Sequence, residues 1–419
     1  ADGALASARL AEKEIMSSGP RTPLHGIPAG YKDVIDVAGM PTTAGSRLLE
    51  GNVPSEDSFV ARRLRAAGSI ALGKLNTFEF ATGGQERYGE ARNPWNLMYA
   101  TGGSSTGPAA ALAGRLVPLA LGTDTGGSVR IPASFCGLVA LRPARGTIDC
   151  SGVVPLSPTL DEVGPMARTV DDCALLYEAL AGLKMTASDF RSFRIGIPDP
   201  LWAACDTDVI SCMDAALKVL RELGASIHKV QFETARYGVA ASWVISYHEM
   251  FQAHRERLIA RPSDYTPMFY NKIVAAGDLT DAEVETAKTI AQKITGEFNA
   301  AMCSVDAILL PATPSPAYPL GNQQMQLDNG TFTRPVSLAG LPALAVPWGF
   351  TNAGLPLGMQ LVSRAGDEAR LFHIARRYEA ATPWHLAAPN FSCPAITAPI
   401  NPVRAALEKY RAEVTETAI

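Results

Sequence analysis

The stretch "LALGTDTGGSVRIPA", from Leu119 to Ala133, runs from an apolar segment into a turn of very small residues. Such an apolar segment predicts a short buried strand, and the turn that follows it exposes successive backbone N–H groups. Small residues from Thr125 to Ser128 also let the backbone come close to a ligand. Ser128, at the end of the turn, is then either an attacking hydroxyl or the cap of the next helix.

Similar apolar runs alternate with Ala-rich helical patterns along most of the chain. Strands are predicted at "SIALGKLN" and "VDAILLP", helices at "SFVARRLRAAG", "GPAAALAGRL", "DDCALLYEALAG" and "DVISCMDAALKVLRELG", and a hairpin at "LPALAVPWGFTNAGLPLGMQLVS". This alternation predicts an α/β fold in which one mixed, mostly parallel central sheet carries helices on both faces.

The late strands are as apolar as the early ones, so we expect a single large domain over residues 1–419. Its core is predicted to comprise residues 20–200 and 303–365. Residues 202–302, which are mostly helical in pattern, are predicted to form an insertion that carries little chemistry.

The bulk composition excludes several classes of protein. The 419 residues are 47% hydrophobic and 19% charged, with a formal net charge of −4, which supports a large core and argues against disorder. There is no Lys/Arg-rich run and no run of eighteen apolar residues, so we expect no nucleic-acid partner and no membrane span. The N-terminal residues are predicted to form a helix rather than a secretion signal.

The cysteines and histidines give no sign of a metal site. No C-x-x-C or H-E-x-x-H motif occurs, which predicts reduced thiols, a cytoplasmic protein and no bound metal. The seven cysteines are Cys136, Cys150, Cys173, Cys205, Cys212, Cys303 and Cys393.

Two kinds of anion-binding loop fit the Gly-rich turn. A nucleotide phosphate loop requires Lys and Ser/Thr after its last glycine, but Ser128 and Val129 stand there, so this interpretation is disfavoured. The other kind is an oxyanion hole, in which the N–H groups of Thr125, Gly126 and Gly127 face the oxygen of a tetrahedral intermediate.

A serine nucleophile needs a base, and the chain has no G-x-S-x-G elbow. The run "GIPAGYKDVIDV", from Gly26 to Val37, predicts a strand that places Lys32 and Val34 on one face. A desolvated lysine is neutral part of the time and accepts a proton. The alternative is a lysine at a strand edge that extends its ammonium to water.

These segments together resemble the amidase signature family. The resemblance rests on "GGSSTGPAAALAG" and "GTDTGGSVRIPA", and it extends from Pro23 to about Val362 through "PLHGIPAGYKDVIDVAGMPTTAGS", "GKLNTFEFA", "RNPW", "FCGLVALRPARGTI", "LDEVGPMARTVDD", "DAILLPATPSPAYP" and "GLPLGMQLV". It implies the amidase signature fold, no cofactor, and the hydrolysis of an amide-type carbon–nitrogen bond. Thr106 and Pro108 depart from the pattern, where the family more often has Gly and Ser.

The resemblance also implies site residues. Ser128 matches the nucleophile, Ser104 matches a serine that follows a non-proline cis peptide bond, and Lys32 matches the base of a Ser–cisSer–Lys triad. The positions of Thr125, Gly126 and Gly127 match the oxyanion hole. Substrate binding is assigned to the segment Phe80–Gln85, with Thr82, Gly83 and Gly84. Tyr265, Met268, Phe269 and Trp348 are candidate apolar walls, and ordinary core packing is the favoured alternative for each.

The implied activity is cleavage of a small amide, ester or carbamate by way of an acyl-enzyme, with an aryl or alkyl amide or a carbamate favoured. A monomer or homodimer is expected. One alternative is a glutamine-hydrolysing amidotransferase subunit that acts on aminoacyl-tRNA. An alternative of another class is a non-catalytic small-molecule-binding protein on the same fold.

Overall fold

The apolar run at Leu119 forms a strand of a ten-stranded sheet. The structure is a computed structural model, and it describes residues 2–186, 190–322 and 329–390. The strands are β1 (Pro28–Lys32), β2 (Ile70–Leu75), β3 (Arg92–Asn93), β4 (Asn96–Ala100), β5 (Leu119–Asp124), β6 (Val139–Arg142), β7 (Glu162–Ala167), β8 (Phe193–Pro198), β9 (Ala225–Val230), β10 (Ala307–Pro311), β11 (Ala343–Phe350) and β12 (Pro356–Val362).

The described helices cover the sheet and surround the site. They are α1 (Asp2–Ser18), α2 (Phe59–Ala66), α3 (Thr106–Ala113), α4 (Arg130–Cys136), α5 (Val170–Ala181), α6 (Thr207–Glu222), α7 (Gly238–Ala260), α8 (Pro267–Ala276), α9 (Asp281–Met302), α10 (Thr333–Ala339) and α11 (Glu368–Ala380).

The large sheet has the order β2-β1-β5-β7-β6-β11-β12-β10-β8-β9, and β3 and β4 form a separate pair. Adjacent strands are parallel at its two flanks, in β2-β1-β5 and in β10-β8-β9. The antiparallel pairs lie between the flanks, and they include the β11–β12 hairpin predicted from sequence. The predicted α/β fold with one large mixed sheet is confirmed.

Both faces of the sheet are buried, because each central strand alternates its side chains between two cores. In β5, Leu119 and Leu121 join the large core that includes α2, α5, α6 and α11, whereas Ala120 packs with α3 and α4 on the other face. Leu344 and Ala345 of β11 divide in the same way. Alanine on the α3–α4 side lets those two short helices lie close to the strands.

Residues 202–302 contain the helices α6 to α9, but they also supply β9, which pairs with β8 at the sheet edge. The polar residues Ser226 and His228 are tolerated in this strand because it is exposed at the edge. The described residues up to Ala388 form one compact unit. The predicted domain extends to residue 419, and its part beyond residue 390 lies outside the described residues. The domain boundaries stay a prediction.

The predicted strand from Gly26 to Val37 is shorter than expected. It ends at Lys32, where the chain turns: the Ile35 N–H donates to the Lys32 carbonyl. Val34 is buried in the core but does not share a strand face with the lysine. The apolar pattern continues past the turn because the turn itself is covered by protein.

Among the described residues, none of the helices is long and apolar enough to cross a bilayer. In the same ranges, no three His, Cys, Asp or Glu side chains converge as metal ligands. The six described cysteines are free thiols, and Cys393 lies outside the described residues.

Candidate active site

Two neighbouring parallel strands bring the first site residues together. β1 pairs with β5 so that Tyr31 lies beside Leu121, and both strands end at the same edge of the sheet. Lys32 is the last residue of β1, and Thr123 is the next to last of β5. The carboxyl ends of parallel strands are where open α/β sheets bind ligands, so this edge is the candidate site.

The Lys32 side chain is fully buried, with 0% of its surface exposed. Its Nζ lies 2.8 Å from Ser104 Oγ and 2.7 Å from Thr123 Oγ1. Neither partner is a carboxylate. A hydroxyl group can accept a hydrogen bond from an ammonium or a neutral amine and can also donate one to the neutral amine, so both forms of Lys32 can be bound here. The alternative of a lysine extending to water is wrong.

Burial lowers the pKa of Lys32 from 10.5 to about 7, and the charges of Asp161 and Asp124 oppose this shift. A buried ammonium loses its hydration, and the hydroxyl contacts replace only part of it. A substantial fraction of Lys32 is therefore neutral near pH 7, and the neutral amine accepts a proton.

Ser104 lies in the loop between β4 and α3, and its hydroxyl contacts Lys32 Nζ. The Gly103–Ser104 peptide bond is cis, as the resemblance implies for this position. The next residue, Ser105, donates its N–H to the Ser128 carbonyl at 3.2 Å, which joins this segment to the Gly-rich turn. A Cβ at Gly103 would overlap the Phe78 ring, so only glycine fits there.

A buried ion cluster holds the turn that follows β5. Asp124 accepts hydrogen bonds from the Gly127 N–H at 2.8 Å and from Arg130 Nη2 at 2.9 Å, and it also contacts Arg142. Burial opposes ionisation of Asp124, but the two guanidinium groups outweigh it and hold the pKa of this carboxyl well below its usual range. A charged Asp124 therefore fixes the course of the turn.

A second carboxylate supports the same turn from the other side. Asp161 accepts hydrogen bonds from the Thr125 hydroxyl at 2.5 Å and from the N–H groups of Leu156 and Ser157. Burial raises the pKa of Asp161, and these hydrogen bonds and Lys32 oppose the rise. Hydrogen bonds to Asp124 and Asp161 therefore hold the turn from both sides.

Gly127 must be glycine for two reasons. Its φ of +129° is closed to residues with a side chain, and a Cβ there would overlap the Thr333 hydroxyl. We expect Gly127→Ala to lower the melting temperature and to remove most of any hydrolytic activity. Gly146→Ala is the matched control, because Gly146 also has a positive φ, +75°, but no described atom lies near its Cβ position.

The control should lose about 1 kcal/mol of unfolding free energy, the usual penalty for a side chain at positive φ. Gly127→Ala should lose more than the control, and it should lose activity that the control retains. Equal melting temperatures and equal activities in the two variants would show that the turn tolerates a side chain.

The site opens into a cleft of about 60 Å³. Ser104 and the half-buried Ser128 both line it, together with Thr125 and Gly126 of the turn. The remaining lining residues are Phe78, Ala81, Thr82, Gly103, Ile131, Leu156, Trp243, Ser246, Lys272, Tyr318, Asn329, Gly330 and Arg334. One space therefore adjoins both serines and the backbone of the turn.

The residues predicted for the oxyanion hole divide into two sets. Thr125 and Gly126 line the cleft, whereas the N–H of Gly127 donates a hydrogen bond to Asp124.

The residues predicted for substrate binding also divide into two sets. Thr82 lines the cleft, and Gly83 and Gly84 line a neighbouring cavity of about 240 Å³ that shares Phe78 and Tyr318 with it.

The expected apolar walls mostly lie elsewhere. Tyr265 and Phe269 stack on each other, with ring centroids 5.5 Å apart, in a buried aromatic cluster with Phe80 and His254. Trp348 is buried in the main core, and Met268 lines the 240 Å³ cavity. Core packing, the favoured alternative, therefore holds for Tyr265, Phe269 and Trp348, and none of the four lines the cleft beside the two serines.

The sequence analysis missed four residues that line the cleft. Trp243 and Ser246 lie on α7, Lys272 on α8 and Arg334 on α10. Their segments are far apart in the chain and carry no common motif. The i, i+3 spacing of Trp243 and Ser246, which puts both on one helix face, was the single available signal.

The sequence profile of the family called Amidase matches residues 1–372. Among curated proteins, a glutamyl-tRNA(Gln) amidotransferase subunit from Roseiflexus sp. (strain RS-1) is 36% identical, covering 93% of this chain and 89% of its own length.

Solved structures show the same similarity. A crystal structure of an amidase superposes with a TM-score of 0.84 at 31% identity, covering 90% of each chain. A glutamyl-tRNA(Gln) amidotransferase subunit from Thermotoga maritima superposes with a TM-score of 0.80 at 30% identity, covering 93% of this chain and 95% of its own.

Proposed function

The chain belongs to the amidase family, and we propose that it hydrolyses the carbon–nitrogen bond of small amides through an acyl-enzyme on Ser128. The observation that carries this proposal is the 2.8 Å hydrogen bond between buried Lys32 and Ser104, in a cleft that Ser128 also lines. The two hydroxyls of Ser104 and Ser128 then adjoin one space, and the buried base contacts the first of them.

In the first half of the reaction, neutral Lys32 takes the proton of the Ser104 hydroxyl while Ser104 takes the proton of Ser128. Ser128 Oγ forms a bond to the amide carbon, and the carbonyl electron pair moves to the oxygen. When that pair returns, the C–N bond breaks. The departing nitrogen receives its proton back along the same route, which leaves an ester on Ser128 and neutral Lys32.

In the second half, water attacks the ester with the same base. The water proton passes through Ser104 to Lys32, the Ser128–acyl bond breaks, and the proton returns to Ser128 Oγ. The acid product is released. The N–H groups of Thr125 and Gly126, with that of Ser128, are the proposed donors to the oxyanion in both halves, because Gly127 is engaged by Asp124.

A second candidate is the glutamine-hydrolysing component of an amidotransferase. The names of the curated relatives favour it, since proteins at about 36% identity are called glutamyl-tRNA(Gln) amidotransferase subunits. Their name includes tRNA, so the expected absence of a nucleic-acid partner stays untested for this chain. Both candidates need the same amide cleavage and differ in substrate and acceptor.

The test is hydrolysis by the purified chain, with no ATP, tRNA or partner protein, of a panel of amides, followed as ammonia release, and of matched esters and carbamates, followed as alcohol release. We expect multiple turnovers of at least one small amide. Turnover only of glutamine, and only after partner proteins are added, would favour the amidotransferase. Failure to turn over any member under every condition would favour the non-catalytic binding protein.

A further inference from the structure

Two cationic side chains, Lys272 and Arg334, line the cleft beside Ser128. They come from different helices, α8 and α10, and converge on the indole ring of Trp243. The Arg334 guanidinium carbon lies 3.6 Å from the centroid of that ring, and Lys272 Nζ lies 5.6 Å from it. The aromatic face holds both cations in place and contributes no negative charge.

Arg334 is aimed at the turn that carries the proposed oxyanion donors. A Cβ added at Gly126 would lie only 2.8 Å from Arg334 Nη1, so the guanidinium packs directly on that glycine. Nη1 donates to Ser242 Oγ at 3.0 Å, and the buried Nε has no hydrogen-bond partner among the described residues. A planar group with unused donors at this position matches the two oxygens of a carboxylate.

Lys272 is held by neutral oxygens. Its Nζ donates to the Thr82 carbonyl at 2.5 Å and contacts the Thr82 hydroxyl at 3.3 Å. Burial and the nearby Arg334 charge lower the pKa of Lys272 to about 8. These contacts to Thr82 tie α8 to the cleft, but they leave the positive charge without compensation.

Neither cation takes part in any ion pair formed among the described residues. The described residues that line the cleft include no aspartate and no glutamate. Two like charges in one buried site repel each other, and an anion between them would relieve both the repulsion and the lost hydration. The described lining of the cleft therefore carries positive charge without a described counter-ion.

The size of the cleft limits the ligand. A volume of about 60 Å³ holds on the order of five water-sized groups, at roughly 10–15 Å³ each. The acyl chain must therefore be short, with one to three carbons between the amide and the carboxylate, and ammonia is the leaving group that adds the least bulk. In the proposal the carboxylate belongs to the acyl part.

We propose that the cleft selects short primary amides whose acyl chain ends in a carboxylate, bound between Arg334 and Lys272 with the amide carbonyl at Ser128. This inference rests on the proposed amide hydrolysis and names its substrate class. It replaces the expectation of an aryl or alkyl acyl group, because two cations without a described counter-ion stand among the apolar side chains beside the two serines.

The same cations discriminate against a zwitterion such as glutamine. Its α-carboxylate suits Arg334 and Lys272, but its α-ammonium would lie next to two positive charges with no carboxylate in the described lining to receive it. A monoanion meets no such repulsion. Glutamine is accordingly expected to be a poorer substrate than a monoamide of the same length.

The test compares amides that carry their charge on different sides of the scissile bond or carry none. Succinamate carries its carboxylate on the acyl part, N-acetylglycine has the same atoms with the carboxylate on the leaving amine, and butyramide is the neutral reference. kcat/KM is measured for each at one ionic strength, with malonamate, glutaramate and glutamine alongside. We expect the best monoamide to exceed butyramide by about a hundredfold, the value of one charged hydrogen-bonded contact.

Lys272→Met should reduce the ratio of kcat/KM for the best monoamide over butyramide at least about tenfold. Arg334→Lys keeps the charge but loses the planar guanidinium that binds both oxygens of a carboxylate, so it should reduce the same ratio. Lys218→Met, which removes an exposed lysine charge on α6, is the matched control and should leave the ratio unchanged. Because each ratio is internal to one variant, general damage to the fold cancels.

A binding readout keeps this test separate from turnover. Succinate should slow the labelling of Ser128 by a fluorophosphonate in the wild-type chain, and less so in Lys272→Met. Equal turnover of butyramide and the monoamides, or a ratio that Lys272→Met leaves intact, would overturn the anionic specificity while amide hydrolysis stands. A preference for N-acetylglycine or glutamine would overturn the assignment of the acyl part. No labelling and no turnover of any amide would instead contradict the proposed function.

Discussion

Replacing Ser128 by alanine is expected to abolish turnover and leave the fold intact. The change removes one hydroxyl from a half-buried turn residue whose backbone is held by neighbouring groups, including the Ser105 N–H. Without the nucleophile no acyl-enzyme forms, and kcat should fall on the order of 10⁴-fold or more. The measurement is steady-state ammonia release with the melting temperature recorded for the same sample.

Ser211→Ala is the control for this experiment. Ser211 is exposed on α6, and its hydroxyl donates only to the Thr207 carbonyl of its own helix. Wild-type activity in the control and an unchanged melting temperature in both variants would assign the loss to Ser128 itself. A Ser128→Ala variant that kept a tenth of the wild-type kcat would remove Ser128 from the mechanism.

Replacing Lys32 by methionine should be nearly as severe. Methionine fills the buried space of the lysine but neither accepts nor donates the transferred proton, so kcat should fall roughly 10²- to 10⁴-fold. Lys218→Met, the exposed lysine on α6, again serves as control. Activity close to wild type in Lys32→Met would mean that another group removes the Ser128 proton.

The wild-type pH profile gives a second measure of the same residue. The pKa of Lys32 is about 7, and its neutral form is the base, so kcat at saturating substrate should rise with pH through about 7 and level off above it. Asp161 and Asp124 favour the charged form, and the hydroxyls of Ser104 and Thr123 complete the surroundings of the amine. A chemical step whose rate is flat from pH 5 to 9 would contradict a lysine base.

The parts of the fold that were predictable are those in which local pattern and packing agree. The apolar run at Leu119–Asp124 forms a strand, and the hairpin of β11 and β12 follows its pattern of apolar runs around a turn. The strand at Lys32 was predicted too long, because residues after the turn are buried as well and continue the apolar pattern. Burial alone does not reveal where a strand ends.

The sequence singled out site residues only where they lie in a recognisable motif or break a local pattern. Ser128 and the turn before it are adjacent in sequence, and Lys32 stood out as a charge inside an apolar run. Lys272 and Arg334 gave no such signal, since each is an ordinary basic residue in a helix until the fold packs α8 and α10 against α7. The residues of the proposed specificity site were therefore out of reach of the sequence.

The Gly127 N–H shows a similar limit at the scale of one atom. The sequence offered three successive N–H groups at Thr125, Gly126 and Gly127, and a loop of this composition gives no reason to prefer one. In the structure, the third of these, the Gly127 N–H, donates a hydrogen bond to Asp124 Oδ1. A side chain that folds onto its own loop changes the number of free donors without changing the motif.

The most direct test of the central claim is to find which atom of the protein is activated. The purified chain is incubated with a fluorophosphonate, the intact mass is measured, and the labelled peptide is sequenced by fragmentation. A reactive Ser128 predicts one adduct per chain, on that residue, formed far more slowly in Lys32→Met. An unlabelled Ser128, or an adduct on a different residue, would contradict the account.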